Sequence, residues 1–202
     1  FCALILMEEP PYKKSNIFSF WFDIAYIYNM KKLLVLLLFP FLLQSQNFPQ
    51  LDVSPMDKAH FSRQKEVATI TYSRPQLKGR ALNDIIKLNN IWRTGANEAN
   101  ELLLYVDIEI NNILVSKGTY KIFTYLEEKE VTFIISSSTK MFGGASAYNS
   151  EMDVIRFKVP KRKVKESLEA FSIVFSNKDE QPQIHFGWEY MRFDIPFKIL
   201  GK

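Results

Sequence analysis

Apolar and polar residues alternate with a period of two along most of the chain beyond Gln46. Residues 101–111 (ELLLYVDIEIN) carry the longest such pattern: Leu102, Leu104, Val106, Ile108 and Ile110 share one face, and Glu101, Asp107 and Glu109 the other, as in one half-buried strand. Residues 66–73, 154–159, 169–175, 184–190 and 193–199 repeat the signal, with Ile155, Phe157, Val159, Phe171, Ile173, Phe175, Ile184, Phe186 and Trp188 predicted to face inward. Asn111-Asn112 suits a tight turn because Asn tolerates positive φ, and an extended run restarts at residues 113–115. Residues 119–126 and 131–136 flank a polar segment, 127–130, and predict a hairpin. A longer loop, 137–151, has Gly143-Gly144 at its centre, and single helical turns are expected at 82–88 and 163–168. Residues 47–62, with Pro49 and Pro55, read as an extended polar lead-in.

Around nine short strands with little helix predict an all-β fold, an antiparallel β-sandwich of jelly-roll or immunoglobulin-like type, with a barrel as the alternative. A parallel α/β sheet is disfavoured, because its helical crossovers of a dozen or more residues are missing. The aromatic series Phe186, Trp188, Tyr190, Phe193 and Phe197 reads as core rather than as a sugar-stacking surface.

The first 46 residues follow a different pattern. Residues 1–29 show neither helical nor strand periodicity. From Met30 the text becomes MKKLLVLLLFPFLLQSQN: two lysines, an eleven-residue apolar run broken only by Pro40, and a polar exit at Gln44, Ser45 and Gln46. That is the layout of a secretory signal peptide. The run is short against the ~20 residues of a membrane-spanning helix, so no permanent membrane span is expected after cleavage. The reading is that Met30 is the true start, 1–29 is upstream frame translated by mistake, and cleavage near Ser45 or Gln46 releases one exported domain, 47–202.

Composition sharpens this picture only after that division. The whole chain has 202 residues, 47% hydrophobic and 24% charged, with a formal charge of +4. Residues 47–202 hold 22 Lys and Arg against 19 Asp and Glu, a charge of +3, too weak to imply nucleic acid as a partner. The one cysteine, Cys2, lies in the segment expected to be lost, which suits an oxidising compartment. The run KVPKRKVK (158–165) reads as a solvated turn between strands.

Two stretches break the strand pattern with dense polar groups: YSRPQLKGR (72–80) and WRTGANEA (92–99). With GTYKIFT (118–124) and DVIRFKVP (153–160), they resemble the bacterial family of unknown function DUF2911 over residues 51–197. The resemblance implies a small exported protein of Gram-negative bacteria and carries no catalytic assignment. One departure stands in the middle loop, TKMFGGASAYN, where Phe142 lies near the position of a Trp in an Asn-Gln-Trp-Gly-like string of the family.

Chemically, the two motifs supply Arg74, Arg80 and Arg93 as cations, Ser73, Thr94 and Asn97 as neutral donors and acceptors, and Glu98 as a carboxylate. Gathered in space, three guanidinium groups would hold a carboxylate, phosphate or sulfate bidentately. The first expectation is therefore a site for a small anionic or polar ligand, binding rather than catalysis. One alternative is a periplasmic hydrolase or isomerase with Glu98 as general base and Arg93 stabilising an oxyanion. Another is a structural or interaction module, in which Glu98 pairs with Arg74 or Arg93 to hold two loops together. No cofactor or metal site is expected: His60 and His185 are far apart, with no Cys or His beside them. A triad of Ser73, His185 and Glu98 can be composed on paper, but no Gly-x-Ser-x-Gly elbow accompanies it. Oligomeric state is not legible.

Overall fold

The computed structural model describes residues 17–38, 47–139, 148–178 and 181–200. The chain divides into two units, residues 1–50 and 51–202. In the first unit, α1 (Ile17–Leu38) is a single helix whose described side chains are exposed all round. Residues 17–29, which show no period in sequence, are thus helical. A helix without an apolar stripe offers periodicity nothing to detect, so the pattern cannot separate it from irregular chain. Among the described residues no helix is long and apolar enough to cross a membrane. The end of the apolar run and its polar exit, 39–46, lie outside the described residues.

The second unit consists of two antiparallel sheets. Its strands are β1 (Met56–Arg63), β2 (Lys65–Ser73), β3 (Ile91–Trp92), β4 (Glu101–Leu104), β5 (Ile108–Ile110), β6 (Ile113–Val115), β7 (Gly118–Leu126), β8 (Glu130–Ser136), β9 (Asp153–Pro160), β10 (Arg162–Lys178) and β11 (Gln181–Ile199). One sheet runs β1-β2-β4-β7-β8-β9, with β3 also paired to β7; the other runs β10-β11-β5-β6. The all-β sandwich predicted from the alternation is the architecture observed. One short helix, α2 (Leu82–Ile85), occupies the first of the two predicted helical turns.

Several boundaries differ from the sequence reading, each for a physical reason. Residues 101–111 are not one strand: the chain leaves the first sheet after Leu104 and enters the second at Ile108. Leu104 and Ile108 both face inward, so the alternation passes through the corner without a break. Within 47–62, residues from Met56 onward form β1, an edge strand that buries only Ala59 and Phe61. The expected helical turn at 163–168 is the first part of β10; Val164 and Leu168 are four apart, a spacing that fits a strand face and a helix face alike. Tyr190 is partly exposed, at 39%, unlike the other four aromatics in its series.

Residues 181–199 form one strand rather than two. Before Glu189 the inward residues are Ile184, Phe186 and Trp188; after it they are Phe193, Ile195 and Phe197. The parity changes at Glu189, which has φ +46, where the β10–β11 register also shifts. Opposite this point β10 carries five more residues than β11, 162–172 against 187–192, and a bulge of this kind breaks the ladder and bends the strand. The inner faces meet in an aromatic core. Phe186 stacks on Phe193 with ring centroids 4.6 Å apart, Trp92 packs against Phe171 and Trp188, and Phe61 meets Phe175 and Phe197.

The Asn111-Asn112 turn joins β5 to β6, with φ +51 and +59. Left-handed backbone at both central residues matches the twist of a two-residue hairpin. Asn112→Gly is therefore expected to leave stability unchanged or slightly raised, whereas Asn112→Val should lower it by about 1–2 kcal/mol, read from urea unfolding midpoints at constant slope.

Candidate functional site

The first polar motif leaves β2 and runs along the free edge of β10. At that edge Glu169, Phe171 and Ile173 turn backbone groups away from β11, and the motif meets them in order. Leu77 N donates to Glu169 O at 2.9 Å, and Phe171 N donates to Pro75 O at 2.9 Å. Arg74 Nε donates to Phe171 O at 3.1 Å, and Ile173 N donates to the Tyr72 hydroxyl at 2.9 Å. That hydroxyl in turn donates to Ile173 O at 3.3 Å. The remaining Arg74 donors reach Asp57 Oδ2 at 3.0 Å and Ser172 Oγ at 2.8 Å. Burial pushes the Tyr72 phenol above its ordinary pKa, so it keeps the proton it donates. Arg80 folds back on its own turn, donating to Leu77 O at 2.9 Å and Gln76 O at 3.0 Å.

The second motif is a loop that packs on the first. A Cβ on Gly95 would lie 3.1 Å from Ser73 O, so glycine permits this close approach. Thr94 is wholly buried, with φ +56, and its hydroxyl donates to Thr124 Oγ1 at 3.1 Å. Asn100, just beyond the motif, donates to Arg93 O at 2.9 Å and Thr94 O at 3.0 Å. Its Oδ1 accepts from Ile122 N at 2.8 Å. That amide sits on β7 between the stretch paired with β4 and the stretch paired with β3, where no strand supplies a carbonyl. Asn100 thus completes the ladder and pins the loop with one side chain.

The two motifs meet, but the three guanidinium groups do not share a cleft. Arg74 and Arg80 bond within the fold, and Arg93 is half-buried with no side-chain partner among the described residues. The carboxylate beside Arg74 is Asp57, not Glu98. What the motifs do build is a polar groove on the outer face of the first sheet, made of two concavities of about 220 and 360 Å³ that share Met56, Ser73 and Glu98. The smaller includes Thr71, Glu101 and Lys121; the larger is closed by Asp52 and Asn97, whose Nδ2 donates to Asp52 Oδ2 at 2.8 Å. Lys121, only 5% exposed at its side chain, pairs with Glu101 at 3.3 Å. The Ser73 hydroxyl and the Glu98 carboxylate have no hydrogen-bond partner among the described residues.

Of the candidates read from sequence, Ser73, Asn97 and Glu98 line this groove, Thr94 is wholly buried, and Thr94, Arg74, Arg80 and Arg93 do not line it. Sequence reasoning missed Asp52, Thr71, Glu101 and Lys121. Strand parity could have found two of these, since Thr71 and Glu101 face each other across β2 and β4 on the side away from the core. A larger concavity of about 480 Å³ lies elsewhere, between Leu82, Leu126 and Tyr190, rimmed by Lys161–Lys163 of the basic run. The middle loop around Gly143, Gly144 and Phe142 lies outside the described residues.

The Tyr72 hydroxyl satisfies both backbone groups of Ile173, so Tyr72→Phe is expected to lower the stability of unfolding by about 1–3 kcal/mol, with little change in the slope of the urea curve. An unchanged midpoint would mean that solvent serves that edge instead.

The edge-capping motif, the loop it supports and both sheets fall within one stretch of sequence. Residues 54–197 match the model of the family described as protein of unknown function DUF2911. No curated protein and no solved structure matches the chain. The matched span opens beside β1 and closes in β11, taking in both motifs and every groove residue named above except Asp52, and on that extent the chain belongs to the DUF2911 family.

Proposed function

We propose that the β-sandwich is an exported binding domain whose outer-face groove takes a small polar ligand. The observation that carries this is the pair of free groups on the shared wall: the nearly buried Ser73 and the half-buried Glu98 both line the groove, and neither side chain has a hydrogen-bond partner among the described residues. Polar groups left free at the surface of a built concavity are what a ligand would satisfy. The charge balance narrows the class. Asp52, Glu98 and Glu101 line the groove against one cation, Lys121, which Glu101 already pairs. A hydroxyl-rich or amine-bearing molecule fits that field better than an anion, which would meet two unneutralised carboxylates. Binding is favoured over general-base catalysis because Glu98 has no hydrogen-bonded link to Arg93, the group that would have to stabilise a developing oxyanion.

Thermal unfolding against a panel of polyols, monosaccharides, amino sugars and polyamines tests the groove. A ligand at a hundredfold excess over its Kd should add about 2.7 kcal/mol of stability, and Glu98→Gln or Ser73→Ala should remove most of that gain while Arg93→Ala retains it. A panel without a hit, or a phosphate or sulfate response exceeding every amine and polyol, counts against the proposal.

Export rests on the basic pair Lys31-Lys32, the apolar run behind it and the polar exit before Asn47. Amino-terminal sequencing of the protein recovered outside the cytoplasm is expected to begin near Gln46 or Asn47. A product retaining residues 1–29 would overturn both the start at Met30 and the cleavage.

A further inference from the structure

The outer face of the second sheet, across the core from the groove, holds three side chains in the order hydroxyl, imidazole, carboxylate. Ser176 Oγ lies 2.5 Å from His185 Nε2, and His185 Nδ1 lies 2.6 Å from Asp194 Oδ1. Arg162 holds the far side of the carboxylate with a two-nitrogen fork, its shortest contact 2.8 Å to Asp194 Oδ2. Burial alone would raise the Asp194 carboxyl, but the hydrogen bonds from His185 and Arg162 and the Arg162 charge more than offset it, so Asp194 is held below the usual carboxylate range.

An ionised carboxylate only accepts, so Nδ1 donates to Asp194; with Nε2 unprotonated, that nitrogen accepts and the Ser176 hydroxyl donates to it. That is the arrangement of a serine nucleophile beside its general base, with the base oriented by an acid. A groove of about 390 Å³ opens beside the imidazole, lined in part by His185, Asp194, Val174 and Arg192. Arg192 crosses the sheet over Gly187, where a Cβ would come within 2.9 Å of Arg192 Cδ. Arg192 Nη1 and Nη2 bind backbone carbonyls, which leaves Nε as a donor without a partner among the described residues.

We infer that Ser176 is a nucleophile for acyl transfer from a small ester, with His185 as general base and acid, and with Asp194 and Arg162 as positioning residues. Ser176 Oγ bonds to the ester carbonyl carbon as its proton passes to His185 Nε2. Collapse of the tetrahedral adduct breaks the bond to the alcohol oxygen, which leaves with that proton. Water then repeats the sequence on the acylated serine, giving the carboxylic acid and restoring Ser176.

Diisopropyl fluorophosphate and p-nitrophenyl acetate, applied to the full chain, test this directly. The expected results are a phosphoryl adduct on Ser176 in the peptide mass spectrum, a burst of p-nitrophenol, and both slowed at least about a hundredfold in His185→Gln. Asp194→Asn should also slow labelling and abolish the downfield imidazole N–H proton resonance, with Asp194→Glu recovering part of each, a pattern that loss of fold would not give. His60→Gln, at an exposed imidazole on β1 that bonds only Thr69 Oγ1, should label at the wild-type rate. No adduct on Ser176 in the wild-type protein, or equal labelling rates in wild type and a folded His185→Gln variant, overturns the inference.

Discussion

The free edge of β10 is the constraint from which the rest of this domain follows. β10 ends its sheet, so every second residue presents an N–H and a C=O with no neighbouring strand. Left to water, such an edge pairs with other chains; buried unpaired, each group costs about 1–3 kcal/mol. The polar motif resolves this by serving as a partial strand made from mixed parts. Pro75 offers a carbonyl and needs no acceptor for itself, Leu77 offers an amide, and the Tyr72 hydroxyl and Arg74 guanidinium replace backbone where β2 has already turned away. Because Tyr72 and Arg74 leave directly from β2, in the opposite sheet, the same bonds that close the edge also hold the two sheets together.

The second motif meets the same need within the first sheet. β7 is paired along one side by β4 and then by β3, and the interval between them is closed by Asn100 rather than by a strand. Tethering Arg93 O and Thr94 O to that same amide forces the loop tight, with positive φ at Thr94 and Asn97. The tight loop brings Gly95 onto Ser73 and places Glu98 beside it. The groove is thus a by-product of backbone satisfaction: its walls stand where they do because two incomplete ladders had to be finished by side chains.

How far the sequence could show this depends on the length scale of the physics involved. Period-two alternation reports which face of a strand is buried, and it correctly indicated an all-β sandwich and the β7–β8 hairpin, while the tolerance of Asn for positive φ indicated the Asn111-Asn112 turn. It could not report the sheet change between Leu104 and Ile108, because an even spacing preserves parity through a corner. Nor could it distinguish an arginine aimed at a ligand from one aimed at a carbonyl: Arg74 and Phe171 O are 97 positions apart, and a guanidinium cluster reads the same for either partner. Ser73, Asn97 and Glu98 were legible as site candidates because they sit inside the motifs. Lys121 and Asp52 reach the groove only through tertiary packing.

The arrangement of Ser176, His185 and Asp194 shows a local irregularity deciding what can be chemically adjacent. His185 and Asp194 are nine residues apart in one strand, an odd separation that would send them to opposite faces of a regular sheet. The bulge at Glu189 shifts the parity, so the strand buries even positions before it and odd positions after it, and both side chains emerge on the outer face. Ser176 reaches the same face from across the hairpin, beside the Val174–His185 pair. The bulge serves the core first, since without it Phe193, Ile195 and Phe197 would face outward while Trp188 faced in. One irregular stretch of the β10–β11 pair therefore both completes the aromatic core and brings an acid to an imidazole, and the two outer faces, separated by that core, are free to vary independently.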